Sequence, residues 1–126
     1  MEITRTFDSS PAAPAMARHS LDELARTIPS ERMDDLRLIV SELVTNSVRH
    51  AGLSGDDRIH MTVQVSPSRL RVEVANRGHG FTTQPPGESA QDGRGLLIVD
   101  RLADRWGSQG GAETKVWAEL SLAGPG

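Results

Sequence analysis

Apolar residues along this chain change their spacing several times, and each change marks a predicted element. Ile3 to Phe7 reads as a short edge strand, followed by a Pro/Ala turn at Ser10 to Pro14. From Ala15 to Ile28, Leu21, Leu24, Ala25 and Ile28 fall at helical spacing, and Pro29 ends the run. Ser30 is the predicted N-cap of a second helix reaching about Ala51, with Leu36, Ile39, Val40, Leu43, Ser47 and Val48 on one stripe and Gly52 as its C-cap. The spacing then halves. Ile59, Met61, Val63 and Val65 alternate with polar residues, and Leu70, Val72 and Val74 do so after a Ser-Pro-Ser turn, which predicts an antiparallel pair with one buried face. Asn76 is in phase with Leu70, Val72 and Val74, so it is expected on the covered side, where a polar group needs a partner.

Gly78 to Gly95 has no usable period, and a stretch of that kind inside a small domain is more often a functional lid than a connector. Leu96, Val99, Leu102, Ala103 and Trp106 resume helical spacing. After a loop at Gly107 to Gly111, Thr114, Val116, Ala118, Leu120 and Leu122 alternate again. The order predicts an α+β fold, a two-layer α/β sandwich with a mixed, mostly antiparallel sheet covered on one face by three helices.

Length, 126 residues, fits one domain over 1–126 with a core large enough to need no staple. Cysteine is absent, which removes disulfides, thiol catalysis and cysteine metal sites. No apolar run approaches the roughly 18 residues that span a bilayer, and no signal peptide is seen, so the expected compartment is the cytoplasm, with no membrane partner. A net charge of −3 and few aromatics argue against direct nucleic-acid binding.

Three short segments carry candidate chemistry. Glu42 and Asn46 are one helical turn apart, and a carboxylate beside a carboxamide can hold magnesium and orient a hydroxyl nucleophile, although an isolated pair of this kind more often marks a solvated helix face. His50 extends that face, but no second ligand at metal spacing accompanies it, which excludes zinc. Asn76-Arg77-Gly78-His79-Gly80-Phe81 follows a strand directly, where its glycines suit a close ligand or a tight turn. Gly93-Arg94-Gly95-Leu96 is expected at a helix start, where backbone N–H groups and the Arg94 charge favour an anion. The dinucleotide and Walker fingerprints are both absent.

In this order and spacing the segments resemble the GHKL (Bergerat-fold) ATPase superfamily, which includes gyrase, MutL and histidine-kinase catalytic domains. VSELVTNSVRHA, Val40 to Ala51, is similar to its magnesium-binding N box; Asn76 to Phe81 and Gly93 to Leu96 are similar to its two glycine boxes; Thr114-Lys115-Val116-Trp117 resembles its threonine-bearing strand beneath the adenine. The size and the stretch GRGLLIVDRLADRWG resemble the anti-sigma-factor serine/threonine kinases. The resemblance implies ATP and Mg2+, with Asn46 as the magnesium ligand and Glu42 as the base or orienter for the attacking hydroxyl. It further implies that Asn76, Gly78, Gly80, Gly93, Arg94, Gly95 and Leu96 frame the nucleotide, with Thr114 supporting the base and a lid over about 81–93. The implied reaction is transfer of the ATP γ-phosphoryl to a serine of an anti-sigma-factor antagonist, by a homodimer that also sequesters a sigma factor. One departure stands out: the first glycine box of the superfamily begins with aspartate, and this chain has Asn76. The alternative is therefore a partner-binding module of the same fold that binds nucleotide weakly or not at all. A detached histidine-kinase catalytic domain fits less well, because the chain has no room for a phospho-accepting histidine module.

Overall fold

The computed structural model describes residues 1–50, 58–76, 90–109 and 114–122, and for His50, 90–95 and 114 the backbone alone. Five strands, β1 (Glu2–Asp8), β2 (Arg58–Val65), β3 (Arg69–Asn76), β4 (Arg105–Gln109) and β5 (Thr114–Ser121), form one sheet in the order β1-β2-β3-β5-β4. Every neighbouring pair is antiparallel, so among the described residues the sheet has no parallel element, where a mixed sheet is predicted. The helices α1 (Ala13–Ser20), α2 (Ser30–His50) and α3 (Ala90–Leu102) cover one face. The longest, α2, lies over β3 and β5 at the middle of the sheet, with α1 packed between it and β1, and α3 between it and β4. The structure is an α+β two-layer sandwich.

The core is what the alternation predicts. Ile59, Met61, Val63, Leu70, Val72, Val74, Val116, Ala118 and Leu120 point inward from the sheet and meet Met33, Leu36, Ile39, Val40, Leu43 and Val44 of α2. Ala13 and Ala17 of α1 are fully buried, and their small side chains let that helix approach α2 closely. No helix among the described residues is long and apolar enough to cross a membrane.

Several element boundaries differ from the sequence expectation. The run from Ala15 to Ile28 is not one helix: α1 stops at Ser20, and Leu21–Leu24 form a 3-10 turn. The Ser20 hydroxyl donates to the Ala17 carbonyl at 2.7 Å, and the tighter pitch puts Leu21 and Leu24 on the same buried face. The first helical bond of α2 runs from the Met33 N–H to the Pro29 carbonyl, so Pro29 occupies the cap position and Ser30 is the first residue inside. The largest difference concerns Trp106. The helical spacing predicts it on the third helix and a loop from Gly107, yet α3 ends at Leu102, and Trp106 and Gly107 lie on β4. The Asp104 N–H leaves the helix for the Glu119 carbonyl, and the Asp104 carboxylate accepts from the Ser121 N–H at 2.6 Å. Trp106 still reaches the core side, opposite Ala118, with its indole N–H on Asp100 of α3 at 2.8 Å. A helix and an inward-facing strand position satisfy the same apolar demand there. Gly107 fits the strand because Trp117 lies across it: a Cβ at Gly107 would sit 2.9 Å from the indole.

Candidate functional site

Among the described residues four polar side chains are buried: Asn46, Ser47, Asn76 and Glu119. Three of them gather at one end of the interface between α2 and β3. Asn46 is 8% exposed, Ser47 1% and Asn76 1%. The Asn76 Nδ2 donates to the Ser47 Oγ at 3.1 Å, across the layer between sheet and helix. The strand phase therefore places Asn76 on the covered face, as the alternation predicts.

Asn46 answers the question that its spacing leaves open. It is not on a solvated face but buried at the edge of the core, one turn beyond half-buried Glu42. Burying an amide at the edge of an apolar core is unfavourable unless its polar atoms find partners. The site thus begins as an acidic side chain at the rim, a carboxamide one turn inward, and a hydroxyl–amide pair behind it.

Register brings two more predicted residues together. Asn76 is the cross-strand partner of Thr114, on β5, and of Ile59, on β2. Asn76 and Thr114, far apart in sequence, thereby stand side by side beneath the C-terminal half of α2.

The second glycine box is placed differently from its prediction. The backbone is helical from Ala90, so Gly93, Arg94, Gly95 and Leu96 lie within α3 rather than at its start. The four unpaired N–H groups of a helix start belong to its first turn, so those of α3 run from Ala90 to Gly93, and Gly95 lies past them. Leu96 is half-buried. Gly78 and Gly80, Gly52, and nearly all of the 81–93 lid lie outside the described residues.

Sequence reasoning missed the role of Ser47, which it counted as a stripe position. The signal was present: a hydroxyl interrupting an otherwise apolar stripe, one residue beyond Asn46. No cluster of three or more potential metal-ligating residues occurs among the described residues.

The fourth buried polar residue, Glu119, belongs to the opposite face of the sheet. Its Oε2 accepts from Arg71 at 2.8 Å, and Arg71 also bonds Glu73 at 2.9 Å and stacks 4.5 Å above the Trp117 ring. Burial draws the Arg71 guanidinium down, but the hydrogen bonds and charges of Glu73 and Glu119 outweigh it and hold the group above its ordinary value. An open groove of about 490 Å³ beside this cluster is lined by Gln64, Arg69, Arg71 and Glu119, which face away from α2. It is separate from the Asn46–Ser47–Asn76 site.

Residues 7–120 match the histidine kinase-like ATPase domain family. The chain belongs to this family. Relatives of this ATPase-domain protein include the serine-protein kinase RsbW of Listeria monocytogenes, 30% identical over 120 residues, covering 82% of this chain and 76% of the relative. The serine-protein kinase RsbW of Bacillus pumilus is 31% identical over 90 residues, covering 59% and 56%. The anti-sigma F factor of Pasteuria penetrans is 26% identical over 118 residues, covering 83% and 76%. As a histidine kinase-like ATPase domain of the anti-sigma-factor kind, the chain carries its buried polar trio on the helix and the strand where the sequence resemblance expects the N box and the first glycine box.

Proposed function

We propose that this protein binds ATP with Mg2+ and transfers the γ-phosphoryl to a serine of an anti-sigma-factor antagonist, and that it sequesters a sigma factor as a cytoplasmic homodimer. The observation that carries this reading is the burial of Asn46, Ser47 and Asn76 together at one end of an otherwise apolar layer. Polar groups in that setting serve a ligand or each other, and the relatives named serine-protein kinases supply the chemical class.

The residues present fit the implied group. The Asn46 carboxamide offers a hard oxygen suited to magnesium, which prefers oxygen donors. Magnesium, when bound, neutralises charge on the β- and γ-phosphate oxygens. Glu42, half-exposed at the rim, is within reach of solvent and of a partner's side chain. In this role its carboxylate accepts the proton of the attacking serine hydroxyl as that oxygen bonds to the γ-phosphorus, while the bond from phosphorus to the β–γ bridging oxygen breaks and ADP keeps the electron pair. Gly78, Gly80, Gly93, Arg94, Gly95 and Leu96 frame the nucleotide in this reading, and Thr114 supports the base beside Asn76.

Incubation with γ-labelled ATP and an antagonist protein is expected to label a serine. Glu42→Gln should lower transfer about 100-fold or more while leaving ATP binding within a few-fold. ATP binding with no transfer to any antagonist would overturn the kinase assignment.

Asn76 favours a second reading, a partner-binding module with an attenuated nucleotide site. A neutral hydrogen bond is worth about 1 kcal/mol and a charge-assisted one about twice that. Asn76→Asp should then tighten ATP binding by about tenfold or less. Calorimetry with Mg-ATP separates the readings, since submillimolar affinity of the unmodified chain excludes a dead site.

A further inference from the structure

The outward charges of β3, β5 and β4 do not balance. Arg69, Arg71, Arg105 and Lys115 stand there against two carboxylates, Glu73 and Glu119, on a chain whose net charge is −3. Arg71 bonds both carboxylates, and Lys115 is 3.9 Å from Glu73. Arg69 and Arg105 are left over. Both approach one atom, the buried Glu119 Oε1, each at 3.8 Å, which is beyond hydrogen-bond reach. Their side chains are 58% and 68% exposed, so their donors are open to solvent.

The register makes these two arginines a unit. Arg105 is the cross-strand partner of Glu119 on one side, and Arg69 stands on β3 on the other. Because each lies 3.8 Å from the same oxygen, their nitrogens are no farther apart than twice that distance. A guanidinium presents a planar fork of donors that fits a carboxylate in two-pronged fashion. Two incoming carboxylates would balance the cluster and take the donors that Glu119 leaves unused. Carboxylate-bearing residues one helical turn apart, or alternate residues of a strand, are spaced about 6–7 Å and match that span. The groove of about 490 Å³ beside Arg69 and Arg71 gives such a segment room, and its other carboxylate, Glu2, already accepts from Gln64 at 2.8 Å.

A second copy of the chain is a poor occupant. A two-fold contact would set this face against itself, positive on positive, and a contact with any other face would not give a two-fold dimer. We infer that the outer face at Arg69 and Arg105 docks an acidic segment of a partner protein through paired Asp or Glu carboxylates. The site lies on the face opposite Asn46 and Asn76, so it operates whether or not the nucleotide reading holds.

The experiment is an NMR titration of the isotope-labelled full chain, at low salt, with an oligoglutamate peptide. Saturable shifts are expected at millimolar peptide or below, centred on the amides of Arg69, Arg71, Arg105 and Glu119. Arg69→Gln with Arg105→Gln should weaken binding by about tenfold or more, and physiological salt should weaken it too, because exposed charges are screened. Arg26→Gln with Arg101→Gln removes two exposed arginines outside the sheet and should change affinity by less than about twofold. Absence of saturable shifts, shifts centred elsewhere, or binding that survives the loss of Arg69 and Arg105 overturns the inference. If the double variant does not fold, each single substitution decides: a loss of about threefold or more is expected from either, and unchanged affinity in both overturns the inference. Tighter binding of an oligothymidylate of equal length would assign the face to phosphate polymers and overturn it as well.

Discussion

The two faces of the sheet treat polar side chains in opposite ways. On the outer face Arg71 bonds both Glu73 and Glu119 and stacks over Trp117, while the buried Glu119 Oε1 accepts no hydrogen bond among the described residues and has Arg69 and Arg105 only as ion-pair neighbours, each at 3.8 Å. On the inner face nearly every side chain is apolar, and the few polar ones are gathered at one end around Asn46, Ser47 and Asn76. The outer cluster is held by charge and is open to solvent at its edges, whereas the inner one is neutral and set into an apolar layer, where each polar group must be satisfied by the protein or by a ligand.

The largest expected effect tests the apolar part of the inner face. Leu43→Ala removes a fully buried side chain from α2 and should lower stability by about 2–5 kcal/mol, read by urea unfolding. Asn46→Ala lies one turn away and should behave the other way round: phosphoryl transfer falls about 100-fold or more, while the unfolding midpoint moves little. A large stability loss with transfer intact would make Asn46 a structural residue and erase the contrast between the faces. On the outer face, Arg71→Met leaves Glu119 with weaker partners and should lower stability by about 1–3 kcal/mol after allowance for partial exposure, without altering nucleotide affinity. The raised Arg71 group stabilises the fold below its unfolded value and loses that effect only as pH rises through a still higher one. Both lie far above neutrality, so the difference between Arg71→Met and the unmodified chain should be flat across neutral pH. The smallest effect is at Gly107, where Gly107→Ala brings a Cβ to 2.9 Å from Trp117 and should cost about 1 kcal/mol as the indole shifts.

Most of this contrast was legible in the sequence. The inward positions of β2, β3 and β5 follow from strict alternation, and Asn76 was placed correctly by phase with Leu70, Val72 and Val74. Periodicity alone could not bury Asn46, because helical spacing leaves the edge of an apolar stripe undefined, and only the packing of α2 on the sheet sets its width. It also failed at Trp106, where helix and strand periods predict the same buried side. The stop depends on Asp104 bonding to β5, a contact between residues remote in sequence. Ser20 and Pro29 moved helix ends through single local hydrogen bonds, which spacing does not register.

The place of β3 in the sheet has a kinetic consequence. Strands β1 and β4 lie at the edges, whereas β3 is flanked on both sides and tied at its last residue to α2. Its amides are expected to exchange with solvent only when the whole sheet opens, while those of β1 and β4 exchange through local fraying. Residue Asn76 is thus anchored to the slowest-exchanging part of the molecule, so the geometry around it persists between visits of any ligand.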